Sequence, residues 1–286
     1  MRSEAGSRII LNADDFGGST SINAAVLQAH REGVLTSASL MVTGGAVEEA
    51  VALTRKMPSL AVGLHLVVVA GRPALAPQRV PHLVNGNGRF SDDPLRAGLH
   101  YFFSRAARRE LAQEVDAQFE RFAATGLTLS HVDGHMHMHL HPTVLGLLVP
   151  LAIAHGAKGV RLPRDDLRLS LAYDRDRMGK KVAWWLVFGL LSQYSSHRIG
   201  PQSLVAPERV YGLMQTGQMD EAYVLRVLGQ LRDPSAELYF HPSMGPQGEA
   251  MGSNPGDLRA LLSPGVRRAI EEQGIRLATY STLRSE

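Results

Sequence analysis

Residues 131–141 read His-Val-Asp-Gly-His-Met-His-Met-His-Leu-His, with a titratable side chain at every second position. On a β-strand that spacing puts His131, Asp133, His135, His137 and His139 on one face and Val132, Met136, Met138 and Leu140 on the other. Five such side chains do not make an ordinary core, because unpaired buried polar groups cost too much. They must line water, a metal ion or a hydrogen-bond network. Same-face neighbours on a strand are about 6.6–6.8 Å apart, so at most one or two of the histidines can bind a single ion.

Five other residues could join them. Asp14-Asp15 ends an apolar run and precedes Phe16-Gly17-Gly18. The pair is good turn chemistry, but adjacent carboxylates also diverge, so that one can hold a cation while the other takes a proton. His65 interrupts an apolar run and taken alone is an ordinary core histidine. His241, in Phe-His-Pro-Ser-Met, follows a strand and suits a general acid or a structural role. Arg161, in Arg-Leu-Pro-Arg, suits either an orienting partner for a carboxylate such as Asp14 or a surface charge.

Composition narrows the chemistry. The 286 residues include no cysteine, which excludes disulfides, thiolate nucleophiles and sulfur-ligated zinc. Any metal then rests on nitrogen and oxygen, and the 12 histidines become the inventory. The formal charge is only +3, and the basic clusters at 105–109 and 161–181 are not interleaved with aromatic residues. That pattern argues against nucleic acid as a partner. The first residues lack the basic-then-apolar pattern of a secretory leader, so a cytoplasmic location is expected.

The elements that must position these residues follow from hydrophobic periodicity. Strands are expected at 8–13, 37–42, 60–69, 128–139, 159–162, 208–213, 236–240 and 275–279. Helices are expected at 19–31, 46–56, 106–125, 143–155, 220–231 and about 257–273, with a long Pro/Gly/Asn-rich loop at 70–93. This alternation predicts one α/β domain over 1–286, with a parallel sheet and helical crossovers. The candidate residues fall at the C-terminal ends of strands, where such folds gather their active sites. Residues 182–191 (VAWWLVFGLL) stand apart. Ten apolar residues are too few to span a bilayer, which needs about 20. The segment from Val182 to Leu191 reads as a buried helix or as an interfacial one, with Trp184 and Trp185 at headgroup depth.

The motifs "NADDFG", "GLHL", "HVDGHMHMH" and "HPSM", in this order, resemble the YdjC-type carbohydrate deacetylases, distant relatives of the NodB-type polysaccharide deacetylases. The longer segments "AHREGVLTSASLMV", "GLHLVVVAGRPAL", "RAGLHYFF" and "GHMHMHLHPTVL" look most like the hopanoid-biosynthesis-associated HpnK branch. The resemblance implies a β/α (TIM-like) barrel, regular or distorted, that removes an N-acetyl group from an N-acetylglucosamine-type sugar. For the branch, that sugar is the glucosaminyl headgroup of a bacteriohopanepolyol; soluble chitooligosaccharides are the alternative. It also implies one divalent ion, Zn²⁺ or Mg²⁺, on Asp15, His65 and His135, with Asp14 as general base and His241 as acid. Arg161 is kept with the catalytic group, and His131, Asp133, His137 and His139 stand behind the ligands or against the substrate. The expected partners are an N-acetylated sugar or glycolipid and, through 182–191, the inner face of the membrane. The rival readings are a metal hydrolase of another class and a non-enzymatic lipid-binding protein.

Overall fold

The structure is a computed structural model that describes residues 6–200, 204–245 and 254–284; residues 1–5, part of the stretch read as lacking a leader, lie outside it. From the N-terminus, β1 (Arg8–Phe16), α1 (Thr20–Arg31), β2 (Ser37–Leu40), α2 (Val47–Thr54) and β3 (Ala61–Leu66) lead to the long loop. Beyond it come α3 (Pro94–Phe103), α4 (Arg105–Ala124), β4 (His131–Gly134), α5 (Pro142–Ala154), β5 (Gly159–Val160), α6 (Leu167–Tyr173) and α7 (Met178–Ile199). The chain finishes with β6 (Arg209–Tyr211), α8 (Glu221–Gln230), β7 (Ser235–Phe240), α9 (Pro255–Leu262), α10 (Pro264–Glu272), β8 (Arg276–Leu277) and α11 (Tyr280–Arg284).

All strand pairings in the sheet are parallel, in the order β5-β4-β3-β2-β1-β7-β6. β8 pairs with Arg8 and Ile9 of β1, ahead of Asn12, where the pairing with β2 begins. Nearly every residue of β1 is buried, as expected of a parallel strand covered on both faces. Helix α1 starts where Ser19 caps it, the Oγ accepting from Ile22 N at 3.2 Å, and it buries the stripe Ile22, Ala25, Val26 and Ala29.

The sheet curls. Arg161, just beyond β5, reaches Asp133 on β4, Asp14 on β1 and Glu237 on β7, so strands far apart in the sheet order share one interior. The expected barrel is nevertheless not closed. Among the described residues no ladder joins β5 to β6, and the two edges meet at isolated bridges, a parallel one between Gly159 and Val205 and an antiparallel one between Arg164 and Val210. β5 ends at Val160, and Pro163, three residues on, has no N–H with which to extend a ladder towards β6. The Asp165 carboxylate bridges the opening, accepting from Gly212 N at 3.3 Å and Met214 N at 3.1 Å.

Three other expectations need correction. The strand at 128–139 ends at Gly134, and His135–Leu140 form tight 3₁₀ turns in which Met136 (φ 51°) and His137 (φ 56°) are left-handed. The shared face therefore holds for His131 and Asp133 alone. The helix expected at about 257–273 is two helices, because Pro264 disfavours a helical Ser263 and Ser263 instead caps α10. Helices α3, α6 and the 22-residue α7 were not anticipated as such. Among the described residues no helix is long and apolar enough to cross a membrane.

Candidate metal centre

Near the end of β1 the pairing with β2 shifts register between Ala13 and Phe16, and Asp15 sits in the left-handed region at φ 60°. Aspartate tolerates that conformation better than most residues, and the resulting kink sends Asp14 and Asp15 to different partners. Asp15 Oδ1 lies 3.2 Å from His65 Nε2 and 3.0 Å from His135 Nδ1. The donor atoms of Asp15, His65 and His135 all fall within 4.8 Å of one another, and the three residues are buried. Each comes from a different segment: β1, β3 and the turn after β4.

A second layer fixes them. His65 Nδ1–H donates to Asp133 Oδ1 at 2.8 Å, which leaves Nε2 to face the centre. Asp133 Oδ2 in turn accepts from Ser39 Oγ at 2.7 Å and from Arg161 at 2.8 Å. Arg161 also grips both oxygens of Asp14, each at 2.7 Å, and Asn12 Nδ2 donates to Asp14 Oδ1 at 2.9 Å. The remaining partner of Arg161 is Glu237, which accepts at 2.8 and 3.0 Å and takes a further bond from the Tyr280 hydroxyl. The surface-charge reading of Arg161 is thereby excluded: it is fully buried.

Carboxyl groups outnumber the one permanent cation in this interior. Asp14, Asp15, Asp133 and Glu237 are all buried, while the same interior holds one guanidinium. Burial opposes ionisation of Asp133, but Arg161 and His65 override it and hold the carboxyl well below its usual range. Asp15 behaves alike under His135 and His65. Burial works against the His65 cation, and Asp133, with Asp15 beyond it, outweighs that and lifts His65 to about 10. Glu237 moves the other way, pushed up by burial. A carboxylate cluster that draws a proton onto His65 is a site a divalent cation fits, the ion taking that proton's place. The oxygen and two nitrogen donors suit Zn²⁺ and also allow other divalent ions.

The other candidate histidines are held elsewhere. His131 stacks on Tyr280 at 4.5 Å between ring centres, with Nε2 3.1 Å from Ser39 Oγ. His139 Nε2–H donates to the Arg161 carbonyl at 2.9 Å, and His137 Nε2 is 3.0 Å from the Tyr239 hydroxyl. Burial pushes His131 and His139 down to about 4 and His137 well below its usual value, which keeps all three neutral. His241 Nε2 lies 3.8 Å from Asp14 Oδ2, and its backbone N–H is pinned to Asp257 at 2.8 Å. Asn12, Ser39, Glu237, Tyr239 and Tyr280 went unread in the sequence. Asn12 and Glu237 were detectable in principle as polar residues inside apolar strands.

Asp14, His65, His135, His137 and His241 line a cavity of about 510 Å³. Its walls are apolar: Leu95, Leu99, Phe102 and Phe103 of α3 on one side, Trp184, Val187, Phe188 and Leu191 of α7 on the other. Both helices also carry large apolar side chains into solvent, among them Phe103 (73% exposed), Leu190 (68%) and Trp185 (43%). The segment 182–191 is thus half out of the core.

Residues 8–272 match the model of the family described as YdjC-like protein. The chain is 32% identical over 282 residues to a carbohydrate deacetylase of Brevibacillus brevis, with 96% of this chain and 99% of that one covered. It is 30% identical over 292 residues to a chitooligosaccharide deacetylase of an Enterobacter species, covering 96% and 98%. A crystal structure from Enterococcus faecalis, provisionally described as a cellobiose-phosphate cleavage protein, superposes with a TM-score of 0.72 at 24% identity, covering 97% and 99%, and so shares the fold. A family match running from β1 through α10, with relatives of 30% identity and more along the full length, places the chain: it belongs to the YdjC-like protein family.

Proposed function

We propose that this chain is a metal-dependent N-deacetylase acting on an N-acetylglucosaminyl group borne by an apolar carrier, with the headgroup of a bacteriohopanepolyol as the best-fitting substrate. The observation that carries the reading is the convergence of Asp15, His65 and His135 within 4.8 Å of one another, with both histidines lining the cavity that also holds Asp14 and His241. The names of the two relatives, carbohydrate and chitooligosaccharide deacetylase, support the reaction class. The apolar walls support a lipid-linked sugar over a free one.

In this reading Asp15, His65 and His135 hold a Zn²⁺ or Mg²⁺ ion, which supplies Lewis acidity by acidifying water and polarising the acetamide carbonyl. Asp14 takes the proton of the attacking water. Arg161 and Asn12 hold the Asp14 carboxylate in one orientation, so its proton-accepting geometry is set before substrate arrives. His241 is near enough to Asp14 for the two to work as one proton-handling pair, and it delivers a proton to the departing amine. The C–N bond breaks, the water oxygen joins the acyl carbon, and acetate and a free amino sugar result. Helices α3 and α7 flank the carrier, and their exposed apolar faces support a peripheral position at the inner membrane face.

Acetate release from an N-acetylglucosaminyl lipid, compared with release from chitooligosaccharides, tests the proposal. A higher kcat/KM on the lipid supports it. Preference for the free oligosaccharide would replace the lipid by a soluble substrate, and no acetate from either would end the deacetylase reading.

A further inference from the structure

A second cavity, of about 340 Å³, opens on the candidate metal centre from another arc of the rim. It shares only His135 with the first, and it takes Asp15 where the first takes Asp14. Its walls come from the turn after β1, the loop after β2 and the loop after β3, and Gly18, Gly44, Gly45 and Gly71 make much of them main chain. Gly44 is obligatory there, since a Cβ would stand 2.2 Å from the Gly17 carbonyl oxygen.

The only charged residues lining this bay besides Asp15 and His135 are Arg72 and Arg89. Two backbone hydrogen bonds, Ala70 N to Ser91 O at 2.9 Å and Phe90 N to Gly71 O at 3.0 Å, run their segments antiparallel. Followed one residue further, that course brings Arg72 alongside Arg89. Like charges set side by side across paired segments repel. Arg72 is exposed and Arg89 half-buried, and neither guanidinium has a side-chain or backbone acceptor among the described residues, so both are available to a ligand in the bay. Ala70 is itself left-handed at φ 50°, so the backbone that presents Arg72 is held in a costly conformation. An anion between the two arginines would account for the arrangement.

We propose that Arg72 and Arg89 form a subsite for a small carboxylate, the acetate that hydrolysis releases. The inference rests on the deacetylase reading above. Its chemistry follows from charge. The substrate acetamide is neutral, one product is a carboxylate and the other an amine that protonates in water. The first cavity is walled by apolar side chains and has no arginine or lysine in its lining, so it disfavours a departing carboxylate and accommodates the amino-sugar side. The second offers two planar guanidinium forks matched to a carboxylate, on the side of the centre that the carrier does not fill.

The test is titration of the metal-loaded and the metal-free protein with sodium acetate by calorimetry, alongside acetate inhibition of turnover. For Arg72→Gln/Arg89→Gln, acetate binding and the inhibition constant should both weaken by about tenfold, in keeping with loss of charge-assisted hydrogen bonds. Arg72→Lys/Arg89→Lys, which keeps charge without the fork, should fall between. Unchanged acetate affinity in the glutamine variant overturns the subsite. Tighter binding of inorganic phosphate than of acetate through the same pair also overturns it, in favour of an anionic group on the substrate. A protein that binds acetate through these arginines yet releases none from any N-acetyl sugar would sink the deacetylase reading and leave the anion site standing.

Discussion

Adjacent aspartates meet different partners in this chain, where the backbone turns left-handed at Asp15. Asp15 faces the imidazoles and Asp14 the guanidinium. Replacing Asp14 by Asn should lower kcat by about 10²–10⁴-fold, the usual scale for a general base, while elemental analysis still finds one metal per chain. His135→Ala should instead lose the metal, and His139→Ala should keep it. Equal metal loss in the two histidine variants would show that the ligand set is wrong. At this scale the sequence was half legible. Alternation announced a polar face, and only resemblance picked His135 from His137 and His139. The reason lies past Gly134: a Cβ there would come within 3.1 Å of the His139 Cβ, so the chain folds back sharply and the strand rule stops applying. No local pattern of alternating histidines encodes that fold-back.

Elements show where periodicity speaks and where it does not. Strands β1, β3 and β7 and helices α1, α4 and α8 lie close to their expected positions, since each buries a regular apolar set. Helix α7 is apolar around much of its circumference, so its sequence could not say which side meets protein. Its exposed face makes a prediction: Trp185→Ala/Leu190→Ala should reduce co-sedimentation with anionic vesicles while leaving Tm nearly unchanged. A marked fall in Tm would mean the face is packed. The seam between β5 and β6 makes another. Burial raises Asp165 from 3.8 to about 6 against the three backbone N–H groups that favour its charge. Because the folded value is the higher one, its contribution to stability is full below about pH 4 and is lost as pH rises through about 6. The Tm of Asp165→Asn relative to the native chain should therefore shift in the variant's favour between pH 4 and pH 7. A gap that stays constant across that range would remove the role assigned to burial.

For the whole molecule, the β/α alternation was legible and the openness of the sheet was not. Closure depends on whether two strands of two and three residues, one followed shortly by a proline, can form a ladder, and hydrophobic pattern says nothing about that. The carboxyl cluster around Arg161 is also a whole-molecule property, since its members come from β1, β4 and β7. Removing the ion with a chelator should lower Tm: a ligand at 100 times its Kd adds about 2.7 kcal/mol, on the order of 5 °C for a chain of this size. Differential scanning calorimetry with and without chelator reads this directly, and no shift would mean that the site binds no metal tightly.

Arg161 has one more consequence, which concerns how the chain comes together. It stands near the middle of the sequence, and its carboxylate partners stand on both sides: Asp14 and Asp133 before it, Glu237 after it. A piece of the chain ending before Arg161 would have to bury two carboxylates without their counter-ion, and a piece beginning after it would bury Glu237 alone. Breaking such a buried pairing typically costs about 3–5 kcal/mol, a large part of the stability of any domain. The first strands and the last are therefore bound to one folding event, and a ribosome that has released only β1 to β4 has not yet made anything that can hold a metal.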